Sequence, residues 1–132
     1  KSFIFERNIL PNRLRHRNTD GRAVFLGTDF NGSSRLVRTE LIGAGAPGAT
    51  LGTSLDIAVP AYSRAAPARQ PNGEVPLRTD SPNIRARIAE VNGSLWAVHP
   101  VLDTTTNSSA IRWYEIDEAT DSVLQTGVIS DP

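Results

Sequence analysis

Apolar positions along this chain fall in short, strand-length runs separated by turn-forming residues. Ser2-Phe3-Ile4-Phe5-Glu6 reads as a leading strand, and Asn8 to Gly21, polar and holding Pro11, as a connection ending in an Asp20-Gly21 turn. Arg22–Phe30 and Arg35–Ile42 flank Asn31-Gly32-Ser33-Ser34, whose Asn-Gly chemistry predicts a hairpin. Gly43 to Gly48 is too glycine-rich for a helix interior, and Thr50–Val59 reads as a third strand. Residues 60–82 hold five of the nine prolines (Pro60, Pro67, Pro71, Pro76, Pro82), which predicts no regular element and marks a boundary between units. Four strands are then predicted near 84–91, 94–101, 110–116 and 122–129. The alternative for 83–91 is a helix, with Pro82 in its first turn and Ile84, Ile88 and Val91 on one face.

The order of events echoes within the chain. Phe25, Glu40 and Leu51 recur as Trp96, Glu115 and Leu124 at offsets of 71, 75 and 73 residues, which points to one sheet-forming unit used twice. Units at 23–59 and 84–132 follow, with a leading segment 1–22 and a Pro-rich crossing 60–83. Bulky residues fall on both faces of the second unit, since Trp113 and Tyr114 point oppositely in a strand. A sheet apolar on both faces is sandwiched between like sheets, as a blade is inside a propeller. The expected fold is all-β: about two antiparallel, propeller-like blades of an incomplete ring.

Composition narrows the chemistry. At 132 residues with 39% hydrophobic and 21% charged side chains, the chain is globular, and no apolar run reaches the length of a membrane span. The absence of cysteine removes disulfides, thiol catalysis and thiolate metal sites. No signal-peptide pattern opens the sequence, and the missing initiator Met suggests a processed chain or an excised piece. The net charge of zero divides into +4 over residues 1–22 and −5 over residues 102–132, which favours either head-to-tail assembly or pairing within the fold.

Asn92-Gly93-Ser94-Leu95-Trp96, Arg112-Trp113-Tyr114-Glu115 and Gln125-Thr126-Gly127-Val128-Ile129-Ser130-Asp131-Pro132 resemble runs found in that order in a group of large secreted bacterial β-propeller proteins of uncharacterised function. Pro60-Ala61-Tyr62-Ser63 and the stretch to Asp80 are similar to the crossing between their blades. The resemblance covers about residues 20–132. It implies a propeller fold and a secreted setting, and brings no catalytic residues. A ring needs at least four blades, so the resemblance implies either that this is a fragment or that further copies or other chains are its partners.

Candidate chemistry is sparse. Propeller sialidases carry a Ser-x-Asp-x-Gly-x-x-Trp turn that is absent here, and adjacent Tyr114 and Glu115 cannot act as a nucleophile pair. His16 sits in the basic Arg13–Arg17 run; His99 lies near Asp103, but no Gly-x-Ser-x-Gly elbow supplies a nucleophile. Gly43-Ala44-Gly45 lacks the Lys-Ser/Thr of a phosphate loop, and the basic run lacks the stacking residues that nucleic acid binding needs. Asp117 and Asp121 make a weak candidate for a structural calcium, as Asp29 does beside Asn31, without the Asp-x-Asp-x-Asp-Gly spacing. Asn31, Asn92 and Asn107 head sequons in predicted turns. Trp96, Trp113 and Tyr114 are expected in core packing, with a carbohydrate-stacking surface open to one of them. The expected function is a non-enzymatic structural or adhesive module; the alternative is part of a glycan-binding or glycoside-hydrolysing propeller.

Overall fold

The computed structural model describes residues 10–11, 21–29, 31–84 and 87–130. It is all-β, with two antiparallel sheets packed face to face. In the first, β1 (Leu10–Pro11), β2 (Arg22–Thr28) and β3 (Gly32–Ile42) lie in order, and β3 then pairs with both β4 (Thr50–Leu51) and β5 (Leu55–Ser63). The second is a meander of β6 (Ala89–Val91), β7 (Ser94–Asp103), β8 (Ser108–Asp117) and β9 (Ser122–Ile129). Among the described residues no helix is long and apolar enough to cross a membrane. The expected leading strand Ser2–Glu6 lies outside the described residues, as does His16.

Three predicted boundaries are corrected. Leu10–Pro11, expected within a connection, pairs with Leu26 and Phe25. The third strand is interrupted at Gly52–Ser54 and then runs to Ser63, past the expected boundary at Pro60. A proline is tolerated there because Pro60 sits in the irregular stretch between the Arg35–Ala58 and Ser33–Tyr62 pairs, where the β3–β5 ladder shifts register. The Pro-rich crossing holds a small excursion pinched by an Ala68–Leu77 bridge, with a 3-10 turn at Pro71–Gly73. Residues 83–91 form no helix among those described: Ala89–Val91 is a strand, turned into β7 by Asn92 (φ 51°) and Gly93 (φ 80°). Both positive φ values are what a two-residue hairpin demands.

The two long hairpins of the second sheet use one turn written twice. Asp103-Thr-Thr-Thr106-Asn107-Ser108 and Asp117-Glu-Ala-Thr120-Asp121-Ser122 each start with an Asp whose carboxylate accepts the backbone N–H two residues on, at 2.8 and 2.9 Å. Each ends in a left-handed residue, Asn107 or Asp121, and in each a Thr and a Ser hydroxyl are bonded. The backbone N–H of Thr105 holds the Asp103 carboxyl below its ordinary range, and that of Thr120 does the same for Asp117.

One core joins the sheets. Val24, Leu26, Leu36, Ile57 and Tyr62 from the first pack with Leu95, Val101, Tyr114 and Ile116 from the second and with Ile84 and Ile88 from the segment leading into β6. At its centre the Tyr62 ring meets His99 edge-on at 4.7 Å, and His99 stacks on Tyr114 at 5.6 Å. Polar straps cross the same interface. Arg112 of β8 donates to the carbonyls of Pro60 and Ala61 on β5, at 2.9 and 2.8 Å. Arg38, 6% exposed, points from β3 to Glu40 (2.6 Å) and to Asp121 (3.1 Å) in the β8–β9 turn. Glu40 lies on this core-facing side, opposite Val24, whereas Glu115 pairs with Trp96 on the outer face, so the echo does not hold residue for residue at that pair.

Candidate functional site

Alternation along β7 puts Leu95, Ala97, His99 and Val101 into the core and therefore Trp96, Val98 and Pro100 on the outer face. Cross-strand partners share a face. Trp113 pairs with Val98 and with Gly127, and Ile111 pairs with Pro100 and with Ile129. The outer face thus carries two adjacent apolar rows, Val98–Trp113–Gly127 and Pro100–Ile111–Ile129. Ile111 is 40% exposed and Ile129 64%.

Trp96 and Trp113 stack at 5.9 Å with ring planes 20° apart. Both are half-buried, whereas Tyr114, on the opposite face of β8, is fully buried. The cause is pairing geometry: period-2 alternation separates Trp113 from Tyr114, and only the Tyr114 side meets the first sheet. Beside the indoles, Gln125 donates to Glu115 at 2.6 Å. At the other end the rows run into a groove of about 710 Å³ lined by Arg78, Thr79, Pro100, Ser109, Ile111 and Ile129. Arg78 is almost fully exposed and its nearest carboxylate, Asp80, is 4.0 Å away.

The buried polar centre does structural work. His99 Nε2 and the Tyr114 hydroxyl lie 2.9 Å apart, and His99 Nδ1 has no well-aligned partner. Desolvation, aided by the positive Arg112, pushes His99 down to about 4 despite the neighbouring Pro82 and Pro100 carbonyls, so the imidazole is neutral at pH 7. Burial likewise raises Tyr114 and Tyr62. His99 shares the core with rings, while Asp103 is engaged in its turn, so the two do not form a catalytic pair.

The remaining candidates disperse. Asp117 caps its turn and Asp121 pairs with Arg38; among the described residues no three His, Asp or Glu side chains gather to hold a metal ion. Asp29 accepts from Arg35 at 3.2 Å. Asn31, Asn92 and Asn107 are all exposed in turns. Tyr114 and Glu115 point to opposite faces, as the alternation predicts. The buried Arg38 is not readable as such from sequence, because an Arg in a strand is ordinarily placed on the wet face; the clue to it is its place in step with Leu36 on the buried side. No protein-family model, no curated protein and no solved structure matches this chain.

Proposed function

We propose that this chain is a non-enzymatic structural or adhesive module of a secreted, propeller-type assembly that works through protein–protein contacts. One observation carries the reading: a sheet whose inner face is already buried presents stacked Trp96 and Trp113 and the Pro100–Ile111–Ile129 row on its outer face. Continuous apolar surface of this kind marks a place where another surface sits. Two meandering sheets stacked on a common core suit repetition of the same packing with a further sheet, from another copy or another chain. The exposed sequons at Asn31, Asn92 and Asn107 suit a secreted setting.

Trp96 and Trp113 are the only tryptophans, which makes the test direct. Raising the protein concentration in sedimentation experiments is expected to produce association, with both indoles becoming protected from acrylamide quenching. A monomer at every concentration with freely quenched indoles would defeat the proposal.

Glycan binding is the second reading, favoured by the paired indoles beside the Glu115–Gln125 hydrogen bond, an apolar platform with polar groups at its edge. It requires saturable quenching of tryptophan fluorescence by oligosaccharides, with the protein remaining monomeric.

A further inference from the structure

The edges of the two sheets are not alike. β1, β4 and β6 are two or three residues long, and β5 carries Asp56 and Pro60 and has its Pro60 and Ala61 carbonyls taken by Arg112. Short length, charge, proline and bulges are the ordinary ways of blunting an edge. β9 has only the last, a bulge at Leu124. Its eight residues, Ser122–Ile129, contain no charge and no proline, form a ladder only with β8 among the described residues although β5 lies close by, and leave Leu124 55% and Val128 44% exposed.

The sequence of this edge is also close to symmetric about Thr126. Leu124-Gln125-Thr126-Gly127-Val128 places an apolar residue two positions to either side and, adjacent to the centre, a glycine opposite the long Gln125. Antiparallel pairing of β9 with itself around Thr126 therefore sets Leu124 against the partner's Val128, Gln125 against the partner's Gly127, and Thr126 against the partner's Thr126. Every apolar side chain meets an apolar one and no like charges meet. Leu124 is the bulged residue of the β8–β9 ladder, between Gln125 opposite Glu115 and Val123 opposite Ile116, and the ladder resumes beyond it to Ser122 opposite Asp117.

We infer that β9 is a homodimerisation edge: two copies of this chain join by antiparallel β9–β9 pairing on a two-fold axis at Thr126, making one continuous eight-stranded sheet. A closed two-fold contact uses one patch on both copies and leaves no free edge to propagate. This goes beyond the apolar face proposed above, because it engages backbone groups at the sheet's margin and leaves Trp96 and Trp113 exposed.

Sedimentation velocity on the full chain tests it. The wild type is expected to dimerise and Leu124→Lys to be monomeric at the same concentration, with an unchanged strand signature by circular dichroism. Leu124→Lys combined with Val128→Glu is expected to restore the dimer, because each Lys then meets the partner's Glu. Since the chain has no cysteine, Thr126→Cys gives a reading independent of those variants. Residues directly opposite in an antiparallel ladder lie within disulfide reach, so mild oxidation is expected to link two Thr126→Cys chains and not two Ser122→Cys chains. A wild type that stays monomeric, a Leu124→Lys dimer, or equal cross-linking at both positions overturns the inference. Association that protects the indoles yet ignores Leu124→Lys defeats the edge and keeps the face; a Leu124-dependent dimer with quenchable indoles does the reverse.

Discussion

Trp113 and Gly127 face each other across the β8–β9 ladder, and the indole fills the space that Gly127 leaves: a methyl group there would come within 2.7 Å of Nε1 and 2.9 Å of Cε2. The Gly127 backbone is not in the left-handed region, so its requirement for glycine is steric. Gly127→Ala is therefore expected to push the indole off its seat and destabilise the fold by about 1–3 kcal/mol, the usual range for overpacking. The midpoint of urea unfolding measures it, and an unchanged midpoint would show that the indole is free to move aside.

Trp113→Ala removes the other half of this contact. A fully buried tryptophan costs about 3–5 kcal/mol when truncated, but this one keeps part of its surface in water, so about 2 kcal/mol is expected. Tyr114→Ala, on the core side of the same strand, is expected to cost about 4 kcal/mol or to prevent folding. Equal losses at the two positions would contradict the assignment of faces.

His99 sets an acid limit. Its imidazole titrates near 6.5 when unfolded and at about 4 in the folded chain. Between those values the unfolded chain takes up a proton that the folded one refuses, so stability is complete above about pH 6.5 and falls towards pH 4, by about 3 kcal/mol in all. The depressed carboxyls of Asp80, Asp103 and Asp117 act in the same direction, but only at lower pH. Denaturant melts from pH 4 to 7 are expected to show this slope for wild type and a flatter one for His99→Gln; parallel slopes would remove His99 as the cause.

Arg38 is held between Glu40 and Asp121, which come from different sheets. Asp121→Asn preserves a residue suited to the left-handed turn and removes only the charge, so it isolates the pair. A loss of about 1–2 kcal/mol is expected, less than for an unpaired buried charge because Glu40 remains. Combining it with Arg38→Met is expected to cost less than the sum of the two single changes, as measured by a double-mutant cycle.

Strand order was legible wherever turn chemistry was explicit. Asn92-Gly93 and the two Asp…Ser turns place their hairpins from sequence alone, because each turn satisfies its own backbone locally. What escaped prediction depends on the other sheet. Pro60 reads as a break because its place in β5 is a tertiary fact, and the roles of Arg38 and Arg112 are illegible because the groups they reach on the other sheet lie 83 residues away for Arg38 and 52 and 51 for Arg112. Size alone argues for burial of the tryptophans, but which face of β8 is covered is decided by where the first sheet docks.

The Arg112 strap has a consequence for how the molecule comes apart. By capping two carbonyls of β5, it ties the last hairpin to the strand that precedes the proline-rich crossing, so neither half can peel away without exposing backbone acceptors and splitting the shared core. Melting should therefore be a single all-or-none event reported alike by tryptophan emission and by strand content, and cutting the crossing near Asn72 should leave the two pieces bound to each other.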